Sequence, residues 1–129
     1  MHKKGFDFKL YFLIFTVSII FLFSLISVNA AVYRIGVSQQ FKNQNEVQGV
    51  LADGDTVEIE AGNYNDITVW TKNNIIIKGV GSRPHFSANG VNIPNQKAIW
   101  VIQGDNCIVD NIEFSGADVS SNNGAGIRS

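Results

Sequence analysis

Gly54-Asp55-Thr56-Val57-Glu58-Ile59-Glu60-Ala61-Gly62-Asn63-Tyr64 is the stretch on which the fold of this chain turns. Gly54-Asp55 is a turn dipeptide. The alternation after it places Val57 and Ile59 on one face of a short strand. Ala61-Gly62-Asn63 then bends the chain sharply, with Tyr64 just beyond. Short runs of the same kind, punctuated by Gly and Asn, recur downstream, as a stack of strands requires.

Upstream, residues 31–37 read as a first strand, with Tyr33, Ile35 and Val37 on one face. A polar stretch follows, and Asn43 with Glu46 fits a capping box. Val47, Val50 and Leu51 then fall on one stripe of a short helix that Ala52-Asp53-Gly54 ends. A helix at this point covers the apolar end of whatever the strands build. Downstream, Ile67-Thr68-Val69-Trp70 is a second β-rich run, and Asn73-Asn74 turns into Ile75-Ile76-Ile77-Lys78-Gly79-Val80-Gly81. Their β-branched density suits buried strands. Residues 82–97, with Pro84 and Pro94, read as one long connection. The pattern resumes at Ala98-Ile99-Trp100-Val101-Ile102, turns at Asp105-Asn106, and continues from Cys107 through Gly116. Asn106 and Asn111 lie at or beside turns, where an amide side chain bonds neighbouring backbone. After a polar loop over 117–123, Ala125-Gly126-Ile127 restarts what residues 98–101 began.

Three segments, Gly54-Asp55-Thr56-Val57, Gly79-Val80-Gly81-Ser82-Arg83-Pro84 and Asp110-Asn111-Ile112-Glu113-Phe114-Ser115-Gly116, resemble right-handed parallel β-helix proteins, the superfamily that includes pectate and pectin lyases. The resemblance runs from about Val32 to the end of the chain. It implies an all-β solenoid: a leader over 1–30, an N-terminal strand and capping helix over 31–53, and the first coils over 54–129. A solenoid closes with a terminal cap, and none is legible after residue 124, so the chain reads as truncated or as the front of a longer protein. The resemblance also implies a carbohydrate-related role. Calcium-dependent lyases of that superfamily hold the metal with acids and use Arg or Lys as base on later coils. No position here matches those residues, so no catalytic, metal or cofactor residue is assigned.

Composition narrows the function classes. Lys3, Lys4 and Lys9 precede an uncharged apolar run over residues 10–26, and Val28-Asn29-Ala30 ends in the pattern of a secretory cleavage site before Ala31. Export to the periplasm or outside is the expectation. The competing reading is a retained membrane anchor, because the run approaches a span of about 20 residues. The rest is mildly acidic without a basic patch, which excludes a nucleic-acid role. Cys107 is the only cysteine, so no intrachain disulfide forms, and its apolar setting reads as packing. Asp105, Asp110 and Glu113 are the nearest approach to an acidic group, and a solvated strand edge explains them better than calcium.

Four ligand-contact candidates emerge. Trp70 and Trp100 carry faces that suit a pyranose ring, although their apolar neighbours favour packing. Arg83 and His85 flank Pro84 and could meet an acidic sugar. The functional readings are a polysaccharide-binding or structural module, the non-catalytic front of a lyase, hydrolase or epimerase, or an inactive fragment.

Overall fold

The computed structural model describes residues 7–9, 11–13, 15, 29–89, 93–120 and 124–129. The apolar run over 10–26 therefore lies largely outside the described residues, as does part of each of the two downstream connections.

The alternation after Gly54 forms β2 (Thr56–Glu60), with Val57 and Ile59 wholly buried. It is flanked in parallel by β1 (Val32–Ile35) and β5 (Ile76–Val80), and β8 (Ile108–Asp110) pairs with β5 beyond. A second sheet joins β3 (Asn63–Tyr64), β6 (His85–Ser87) and β9 (Glu113–Ser115). A third joins β4 (Thr68–Trp70), β7 (Ala98–Ile102) and β10 (Ala125–Arg128). Every pairing in the three sheets is parallel. From β2 onward the chain visits the first, second and third sheets in turn and then returns to the first. Protein class is thus all-β, with short parallel sheets.

Register stacks like on like. Tyr33, Val57, Ile77 and Val109 form one row of the first sheet, and Tyr64, Phe86 and Phe114 form a row of the second. The Tyr64 and Phe86 rings stack with centroids 5.0 Å apart, and Phe114 lies 5.9 Å from Phe86. Trp100 fills the space between sheets, 4.7 Å from Phe86, 5.1 Å from Phe114 and 5.2 Å from Trp70. On the outer face, Glu58 bonds Arg34 at 2.9 Å and Lys78 at 3.2 Å. Lys78 first, then Arg34, holds the Glu58 carboxyl below its usual range. Both cations are well exposed, so this ladder adds less than about 1 kcal/mol.

The helix α1 (Gln44–Gln48) is capped as the sequence implies: the Asn43 side chain accepts from the Glu46 amide at 3.1 Å. The reciprocal bond goes instead to Lys42, whose amide donates to Glu46 Oε2 at 2.7 Å. Val47 and Leu51 are buried, but Val50 is half exposed, because α1 ends at Gln48 with Gly49 as its cap. Val37 is 93% exposed rather than on the inner face. The chain leaves β1 at Gly36 and returns at Phe41, which bridges Ile35 and takes the inward place beside Tyr33. Residues 82–97 are not a single connection, since β6 lies within them.

Three turns share one device. Gly54, Asn74 and Asn106, each in the turn before β2, β5 or β8, have φ of 87°, 57° and 55°. Left-handed backbone is open to Gly and tolerable for Asn, whose short polar side chain bonds locally. Beside them the Asn73 amide donates to Asp53 Oδ1 at 2.9 Å, and the Asp105 amide donates to Asn73 Oδ1 at 2.9 Å. The Asn73 backbone amide first, then its side-chain amide on Asp53 Oδ2 at 3.2 Å, keeps the Asp53 carboxyl below its usual range. Asn74→Val is expected to lower stability by about 1–2 kcal/mol, while Asn74→Gly stays within a few tenths. Urea unfolding curves of the two variants measure the difference.

Candidate ligand-binding groove

The turn after β2 and the entry to α1 meet at one corner. Asn63 and Tyr64 come from β3, Asn65 and Asp66 from the segment leading to β4, and Lys42 and Asn43 from the loop before α1. With Val37 they line an open groove of about 520 Å³. The local sequence explains the placement. Tyr64 turns its ring inward onto Phe86 and donates its hydroxyl to the Glu60 carbonyl at 2.9 Å, which fastens the corner. Asn63, next in the strand, therefore faces outward.

Charges in the groove are restrained. Lys42 Nζ donates to the Val37 carbonyl at 2.9 Å and also to that of Gln39, so its ammonium is held against the loop. Burial pushes the Asp66 carboxyl above its usual range, its own backbone amide opposes this, and the negative charge of Glu46 adds to the rise. Burial likewise raises the Tyr64 phenol, helped by Glu60 and Asp66. Five of the seven lining residues carry an amide, hydroxyl or carboxyl group, and together these pair with hydroxyls as donors and acceptors.

Asn63 continues the polar surface along the second sheet. Its register partners are His85 and then Glu113, while Ser87 pairs with Ser115. His85 Nδ1 lies 3.3 Å from Asn63 Oδ1, and Nε2 lies 2.7 Å from Ser115 Oγ. An amide oxygen only accepts, so His85 donates from Nδ1 to Asn63.

The four residues singled out in the sequence separate here. His85 joins the strip that begins in the groove. Arg83 is exposed beside buried Pro84 and is not among the groove residues. Trp70 and Trp100 have no exposed surface at all. Neither offers a ring face to a sugar, so the stacking role is corrected to packing: both rings are consumed by the core. Asp110 and Glu113 fall on strands of different sheets, β8 and β9. Among the described residues no three His, Cys, Asp or Glu side chains converge on a point. Cys107 is half buried, with Sγ 3.3 Å from the Lys72 carbonyl.

Sequence reasoning missed Asn63, Asn65, Asp66 and Lys42 as a group. The register of Asn63 with His85 was the available signal, but β3 is two residues long and has no period to read. No family model, curated protein or solved structure matches this chain.

Proposed function

We propose that this chain forms the first coils of a right-handed parallel β-helix of the pectate-lyase-like class, and that it is an exported module binding a neutral polysaccharide. Three parallel sheets visited in rotation support the solenoid reading, since a parallel strand must be reached by a crossover and such crossovers are right-handed in about 98% of cases. Export rests on the basic and apolar leader and the Val28-Asn29-Ala30 ending.

The observation that carries the binding reading is the amide-rich groove continuing into the Asn63, His85 and Ser115 strip. Its open form, with the register strip of Asn63, His85 and Glu113 leading away from it, suits a polymer more than a compact small molecule. Its charges balance or are tied down, which favours neutral sugars over polyanions.

The test uses the full chain, exported and purified, against a panel of immobilised neutral and acidic polysaccharides. Retention by a neutral polymer is expected, and the double variant Asn65→Ala/Asp66→Asn should weaken it roughly tenfold, as loss of one or two hydrogen bonds implies. A folded protein that binds none of the panel, or a variant that binds like the parent, refutes the reading. The variant should also be at least as stable as the parent, because a carboxylate held above its usual range destabilises the native state once ionised.

A further inference from the structure

Asp55 is 4% exposed, a rare place for a carboxylate without a cation. Its Oδ2 accepts from the Ala52 amide at 2.7 Å, and its Oδ1 accepts from the amide of Ala31 at 2.8 Å. Neither donor is charged, and among the described residues Asp55 takes part in no ion pair. Each carboxyl oxygen thus has one backbone donor, and a positive charge on either donor would strengthen that bond. Ala31 is held from the other side as well: its carbonyl accepts from the Thr56 amide at 2.8 Å. Its nitrogen is therefore fixed against the carboxylate, while Asn29 and Ala30 before it are exposed.

We infer that Asp55 is a built receptor for the α-ammonium of Ala31, created when an endopeptidase that prefers small residues cuts the Ala30–Ala31 bond. Water adds to the Ala30 carbonyl carbon, the C–N bond breaks, and the leader departs with a carboxylate at Ala30. Ala31 nitrogen takes up the protons and becomes an ammonium in the place its amide now holds. The uncharged donor on Asp55 Oδ1 becomes a charged one, a bond roughly twice as strong. Processing then completes the fold at its first strand, since Ala31 leads directly into β1. This rests on the export part of the proposed function and is independent of what the groove binds.

The experiment starts with the full chain expressed with its leader in a secreting host. The first residue of the exported protein is read by terminal sequencing and intact mass, and Ala31 is expected. An amine-acylating reagent is then applied to that protein near neutral pH, where it consumes only the uncharged amine. The Ala31 amine should react roughly tenfold more slowly in the native protein than in urea, because the carboxylate keeps it protonated above an ordinary value of about 7.7–8.0. Asp55→Asn should remove most of that protection. Where this variant does not accumulate, the comparison of native and urea-unfolded parent still decides. An exported protein with a different first residue overturns the inference and leaves export standing. A chain found inside the cell with its leader intact overturns both. Equal reaction rates in native protein and urea overturn the Asp55 assignment alone.

Discussion

Trp100→Ala should lower stability by about 3–5 kcal/mol, the usual range for deleting a large buried aromatic. Trp100 is wholly buried and meets Trp70, Phe86 and Phe114 at once, so its loss opens a cavity between the second and third sheets. Small domains hold only about 5–15 kcal/mol in total, and the variant should therefore unfold at a much lower urea concentration or fail to accumulate. Circular dichroism during urea unfolding of the purified protein reads this. A loss under about 1 kcal/mol, with polysaccharide binding abolished, would restore Trp100 as a sugar platform and contradict its placement in the core.

Gly104→Ala should cost about 3 kcal/mol, the upper part of the range for overpacking. A β-carbon at Gly104 would run into the Lys72 carbonyl oxygen and carbon, atoms of backbone that cannot rotate aside. The contact lies where one passage of the chain crosses the previous one. The Gln103 amide donates to the Trp70 carbonyl at 2.8 Å, and the Gly104 amide to the same oxygen at 3.3 Å. Relief requires the strands to part, with loss of those bonds. The same urea curves measure it, and a neutral outcome would mean that the two passages are not this close.

Much of the fold was legible because long β-branched runs leave little choice. Val57 and Ile59 are inward in β2, Ile77 follows in β5, and the Asn43 cap precedes α1 as its spacing requires. The second sheet was not legible. β3, β6 and β9 have two or three residues each, too few for a period, and they exist because their neighbours in register hold them. For the same reason the groove escaped notice. Its residues are polar and near turns, which ordinarily means solvent, and only the meeting of β3 with the loop before α1 gives them a common purpose. For the tryptophans the favoured reading, packing, holds, and the sugar-stacking alternative falls. An aromatic residue among apolar strand neighbours suits a core better than a sugar, and burial decides between them. Val37 had the right spacing for the inner face, but a turn at Gly36 overrode it.

Through-space NMR contacts between side chains of the purified protein test the stacked register most directly. Stacking predicts cross-peaks linking Val57 to Ile77 and Ile77 to Val109, together with ring contacts linking Tyr64 to Phe86 and Phe86 to Phe114. Absence of these contacts in a folded protein, or pairing of β2 with β5 in antiparallel register, would contradict the parallel stack and remove the groove built upon it.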